Sequence, residues 1–219
     1  FCGGAAAPRP TFAAHPNMLS QRIQQHFIDS ADLNYQCAQL LAAPVEAAVH
    51  ALLACVTSGG KVLACGLGGS AAAAQYFTAS FVGRFERDRP ELAATALSAD
   101  TTVLTALAQG FEPRAVFARQ VRALGQAGDL LLVLAVGSNG ESLRDAVGAA
   151  HERDMTVVAI TGPRPGPLGA ALKDTDVLVS VPHDRLARVQ GVQLLALHCL
   201  LDGVDAQLLG DSPEPETPA

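Results

Sequence analysis

Two glycine-rich turns hold the residues best suited to chemistry. The first, Gly66-Leu67-Gly68-Gly69-Ser70, follows the apolar run "KVLAC" (61–65) and opens an alanine-rich helix. The second, Gly137-Ser138-Asn139-Gly140-Glu141-Ser142, follows "DLLLVLAV" (129–136) and opens another helix. Glycines let a ligand approach the backbone, serines offer hydroxyls, and a helix start offers free N–H groups with partial positive charge. That chemistry suits the phosphate of a phosphosugar. The candidate contacts are Gly68, Gly69, Ser70, Ser138, Asn139 and Ser142. Ser70 and Ser142 could instead cap their helices. The first turn is not a dinucleotide fingerprint, because "GLGGSA" lacks the third glycine and no acidic residue ends the second strand. The helix after it has no Asp, Glu, His or Lys before Arg84, so it brings no obvious acid or base.

The surrounding pattern dictates how these turns are positioned. Helical spacing marks 19–41 and 44–60, the second with Pro44 at its start and Gly59-Gly60 at its end. Five short apolar strands then alternate with helices: 61–65, 92–98, 129–136, 156–161 and 176–181. Helices are expected over 70–85, 141–153 and 185–209, with short ones within 100–124 and a Pro/Gly loop after 161. This alternation predicts an α/β three-layer sandwich with a five-stranded parallel sheet. Ligands of such sheets bind at the carboxyl ends of the strands, where both turns fall. The two N-terminal helices carry more apolar surface than one sheet face needs, which points to oligomerisation. Residues 1–17 (Ala/Pro/Gly-rich) and 210–219 (Pro/Glu-rich) are expected to be disordered, a leader and a tail around a single domain over 18–209.

Hydrophobic residues make up 49% of the 219 and charged ones only 16%, so a large buried surface is expected. A net charge of −6 gives no general attraction to nucleic acid. The five cysteines form no CxxC pair or zinc-like cluster; four sit in apolar helix or strand patterns and read as buried thiols of a cytoplasmic protein. No uninterrupted apolar run has the length of a membrane span. The mixed charges Arg84 to Arg89 read as solvated surface.

"CGLGGSAAAAQYF", "GRFERDRP", "GDLLLVLAVGSNGES", "TVVAITG" and "VPHDRLARVQGVQLLALHCL" together resemble the SIS (sugar isomerase) domain family. The resemblance runs from about Arg22 to Leu209 and is nearest the branch of phosphoheptose isomerase and DiaA, the DnaA initiator-associating protein. It implies the SIS fold, a homotetramer joined by N-terminal helices, and an enediol isomerase site. Several site positions differ. The family's "HFAEEL" is "YFTASF" here, so Tyr76 stands for a histidine and Ala79 and Ser80 for glutamates. Its "STSGNS" becomes Ala135-Val136-Gly137-Ser138-Asn139-Gly140. Gln190 and His198 match its glutamine and histidine, eight residues apart and so roughly on one helix face. Arg188 falls in the family's polar segment at the start of the last helix.

Two readings follow. The departures favour a non-catalytic member of DiaA type, a tetramer that binds DnaA and neither DNA nor membrane, with Leu208 and Leu209 as a docking knob or as the last core turn. The alternative is a sedoheptulose 7-phosphate isomerase using Gln190 and His198, or a sugar-phosphate sensor on the same turns. No metal site is expected; zinc belongs only to the isomerase reading. His198, set among leucines, reads more readily as a packed, hydrogen-bonded side chain than as a catalytic one.

Overall fold

The computed structural model describes residues 16–137 and 140–210, so the expected leader (mostly) and tail lie outside the described residues. Five strands form one sheet: β1 Val62–Gly66, β2 Ala94–Ala96, β3 Leu130–Leu134, β4 Thr156–Thr161 and β5 Val177–Ser180. Their order is β2-β1-β3-β4-β5 and every neighbouring pair is parallel. All five residues of β1 and of β3 are buried, as expected of interior strands covered on both faces.

Eight α-helices cover the sheet among the described residues. They are α1 Pro16–Leu40, α2 Ala42–Thr57, α3 Gly69–Val82, α4 Thr101–Gly110, α5 Val116–Leu124, α6 Glu141–His151, α7 Gly166–Ala171 and α8 Leu186–Leu209. Alternate strand residues feed two apolar layers. Val62, Ala64, Leu130 and Leu132 pack with Leu52, Phe77, Phe81 and Leu197 from α2, α3 and α8. Leu63, Cys65, Leu131 and Val133 pack with Phe117, Val121 and Val147 from α5 and α6. The three-layer α/β architecture expected from the sequence is the one observed.

Differences from the expected elements are local. The α1–α2 junction is a 67° bend at Leu41, and Pro44 falls inside the first turn of α2. Only three residues of 92–98 pair as β2. The Pro/Gly loop after β4 contains the short helix α7. By length and composition α8 passes the test for a membrane span, although polar and charged residues interrupt its apolar run. Its buried face, with Val192, Leu197, Leu200 and Val204, nevertheless belongs to the core.

Carboxylates pin the amino edge of the sheet. Asp129, 3% exposed, accepts from the backbone N–H groups of Lys61 and Gln126 and pairs with Lys61 Nζ at 2.6 Å. Asp176 accepts from the N–H groups of Val157 and Lys173 and lies 2.7 Å from His151 Nε2.

Arg89 corrects the reading of 84–89 as solvated. Its side chain is 1% exposed, with Nε 2.5 Å from Asp205 on α8, and it also donates to the carbonyls of Phe81 and Ser80. Asp205 Oδ2 has no hydrogen-bond partner. Removing one member of such a pair strands a buried charge. Arg89→Met should therefore lower unfolding free energy by about 3–5 kcal/mol in urea titration.

A second outcome follows from two thiols. Burial pushes Cys65 up to about 12 and, with the Asp129 charge, Cys55 up to about 11. Above the ordinary value of 9.0 the unfolded thiols release protons that the folded ones keep. Stability should then fall with rising pH, by about 1.4 kcal/mol per unit per thiol between those limits. Urea titrations at pH 8 and 10 check this, and Cys55→Ala/Cys65→Ala should flatten the dependence.

Candidate functional site

The strand order reverses between β1 and β3: the chain goes from β1 outward to β2, and from β3 the opposite way to β4. Crevices at such reversals are where open parallel sheets bind ligands. Both glycine turns lie here. A cavity of about 360 Å³ sits between them, lined by Leu67, Val136, Gly137, Gly140, Leu143 and Leu186. A larger apolar groove of about 510 Å³ lies away from the strand ends, among α1, α2 and α8.

The first turn is tightly made. Gly68 precedes α3 with φ 58°, a left-handed conformation that favours glycine. A Cβ on Gly66 would meet the backbone of Ser70 at 2.6 Å, and one on Gly69 would collide with the carboxamide of Gln190. The start of α3 is thus packed directly under α8. Ser70 does not cap the helix. It is 1% exposed and its hydroxyl donates to Gln193 Oε1 at 3.2 Å. Gln193 Nε2 donates in turn to the carbonyls of Ala135 and Ile160, both at 2.9 Å. One buried amide therefore links α8 to α3 and to the ends of β3 and β4.

In the second turn, Ser138 and Asn139 lie outside the described residues. Ser142 is buried in the first turn of α6, whose N-cap residue is Gly140. Glu141 carries its carboxylate at the favourable end of that helix.

Farther along the same seam, Tyr76 on α3 meets His198 on α8. Their rings are 5.6 Å apart at 66°, edge to face. Phe85 stacks on the imidazole from another side, at 5.6 Å and 30°. Among the described residues neither ring nitrogen of His198 has a hydrogen-bond partner, nor has the Tyr76 hydroxyl. The hydrogen-bonded core histidine expected from the leucine-rich surroundings is not what forms: His198 is only half-buried. Gly69 touches Gln190 and Tyr76 touches His198, so the seam spans about 12 Å at 1.5 Å per helical residue.

Arg188 has a different task from the one expected. Its guanidinium bonds Ser30 and His26 and lies 3.5 Å from Asp29, fastening α1 to the start of α8. The Gln25 amide, with help from the Arg188 charge, holds the Asp29 carboxyl below its usual range. Leu208 and Leu209 end α8 at 39% and 38% exposure, so neither is part of the buried core. Sequence reasoning missed Gln193 and Phe85. A glutamine on the buried stripe of Val192, Ala196 and Leu197 was the available signal for the first.

Comparison with known proteins now places the molecule. The SIS domain matches residues 25–162, and the chain belongs to the SIS domain family. It falls in that family's phosphoheptose isomerase branch. A phosphoheptose isomerase of Methylibium petroleiphilum is 57% identical over 194 residues, covering 89% of this chain and 97% of the relative. The structure of phosphoheptose isomerase GmhA from Neisseria gonorrhoeae superposes with a TM-score of 0.81 at 44% identity, covering 86% of this chain and 99% of that one. A phosphoheptose isomerase from Francisella tularensis gives 0.81 at 36% identity, covering 84% and 97%. These likenesses overturn the expectation of a non-catalytic, DnaA-binding member. That expectation rested on single-residue departures, whereas the likeness to isomerases extends over nearly the whole of each chain.

The Gly69–Gln190 contact yields a direct check. Gln190 is exposed and its carboxamide is a flexible end, so Gly69→Ala should displace it at a stability cost below about 1 kcal/mol. Thermal unfolding should hardly change, with Tm shifted by no more than a few degrees in calorimetry.

Proposed function

We propose that the chain is a phosphoheptose isomerase, interconverting a seven-carbon ketose phosphate such as sedoheptulose 7-phosphate with its aldose. The observation that carries this reading is the 57% identity, over 97% of its length, to a relative of that name. The seam adds physical support. A seven-carbon chain with a terminal phosphate reaches about 10 Å when extended, from bond lengths near 1.5 Å. With the phosphate at the glycine turns, where α3 and α6 begin, the carbonyl carbons reach Tyr76 and His198. Gln190, lying over Gly69, can hold the hydroxyls between. Turn N–H groups and Ser138, Asn139 and Ser142 are the phosphate contacts in this reading. Arg188 is left out because α1 already engages its guanidinium. His198 is the group that takes and returns a carbon-bound proton.

A second reading, a sugar-phosphate sensor that binds without turnover, is favoured by one observation. Helix α3 contributes no carboxylate or imidazole to the seam: Tyr76, Ala79 and Ser80 stand where the resemblance places His and Glu. A homotetramer and a cytoplasmic location complete the proposal. Phe27 (74% exposed) and Tyr35 (75%) on α1 supply apolar surface for assembly, and Cys37, Cys55, Cys65 and Cys199 are free thiols.

Turnover of sedoheptulose 7-phosphate should be measurable, and His198→Asn should lower kcat by about 10²–10⁴ without changing the melting curve. Ligand-dependent thermal stabilisation with no turnover would select the sensor. Absence of both would contradict the two readings together.

A further inference from the structure

The isomerase reading carries an implied zinc, and the donor set here does not fit one. Zinc in proteins takes three or four donors from cysteine, histidine and carboxylate. The seam offers one imidazole, His198, beside the phenol of Tyr76 and the amide of Gln190. Among the described residues no cluster of three or more His, Cys, Asp or Glu could hold a metal ion. What the seam has instead is a phenol hydroxyl and an imidazole side by side, both without hydrogen-bond partners among the described residues. Their rings are held 5.6 Å apart. Phe85 stacks against the imidazole and limits its rotation. Tyr76 is 37% exposed, so its side chain is partly open to solvent.

We propose that this chain isomerises its substrate without a divalent cation, with Tyr76 polarising the sugar carbonyl in place of a metal and His198 moving the carbon-bound proton. The proposal rests on the isomerase reading. In the ketose-to-aldose direction the Tyr76 hydroxyl donates to O2. His198 removes a proton from C1; the C1–H electron pair forms the C1–C2 double bond, and the C2–O π pair moves to O2, which takes the phenol proton. The product of this half is a neutral enediol with tyrosinate and imidazolium. In the second half the imidazolium returns its proton to C2, the C1–C2 π pair forming that bond. The O1–H bond breaks toward the tyrosinate, and its electron pair closes the C1 carbonyl. Both side chains end as they began, and no oxidant or reductant is consumed. A hydrogen-bond donor aimed at a developing oxyanion is typically worth 10²–10³ in kcat.

The test compares protein stripped with a chelator and protein supplied with Zn²⁺, both with sedoheptulose 7-phosphate. The expected result is equal turnover within about twofold, and no saturable heat in a calorimetric titration with Zn²⁺ alone. Tyr76→Phe keeps the ring packed on His198 and should lower kcat by about 10²–10³ with KM within about threefold. Turnover that is lost on chelation and restored by Zn²⁺ overturns the proposal and leaves the isomerase reading intact. Metal-independent turnover unchanged in Tyr76→Phe overturns the role of Tyr76. If neither preparation turns over, the isomerase reading itself fails, and this proposal with it.

Discussion

The carboxamide of Gln193 has no solvent exposure, and both its N–H donors and its oxygen are engaged. It donates to the carbonyls that end β3 and β4 and accepts from Ser70 at the start of α3. A buried amide costs several kcal/mol when unpaired, so this set of bonds admits one arrangement of the three elements. That arrangement fixes how α8 crosses the carboxyl edge of the sheet. Once it is fixed, Gln190 lies over Gly69, and His198, five residues beyond Gln193, meets Tyr76. The spacing of the seam and the pairing of its polar groups both follow from this one contact.

The two edges of the sheet are built differently. At the amino edge Asp129 and Asp176 spend their oxygens on backbone N–H groups, the Lys61 ammonium and the His151 ring, which holds strands in register. At the carboxyl edge the glycine turns leave backbone near a cavity, and along the α3–α8 seam that starts there Gln190, Tyr76 and His198 have no side-chain hydrogen-bond partners among the described residues. Stability is concentrated at one edge and available hydrogen-bonding capacity at the other. The Arg89–Asp205 pair belongs with the stabilising features, since it locks the segment after α3 to the last turns of α8.

Much of the fold was legible because the strands are short, apolar and regularly separated by helices. Periodicity reports such a pattern directly. The candidate site was legible in parts. The glycine turns could be located, and the eight-residue spacing of Gln190 and His198 placed both on one face of α8. Their partners could not be read. Tyr76 and His198 are 122 positions apart in sequence, and only the packing of α3 against α8 brings their rings together. Arg188 looked available because a helix-start arginine is usually exposed; its partners on α1 come from more than 150 residues away. Arg89 misled in the same way, since its neighbours in sequence are charged and its partner in space is Asp205. Function was misjudged for a related reason. The expectation of a non-catalytic member rested on the missing glutamate, whereas the likeness to isomerases extends over nearly the whole chain.

In the proposed reading the α3–α8 seam moves a carbon-bound proton of a heptose phosphate. The most direct measurement is proton NMR of sedoheptulose 7-phosphate incubated with the protein in D₂O. The account requires deuterium to enter at C1 at a rate that depends on enzyme concentration, and this exchange to be lost in His198→Asn. A bound ligand whose C1 protons persist indefinitely with the unaltered protein would contradict it.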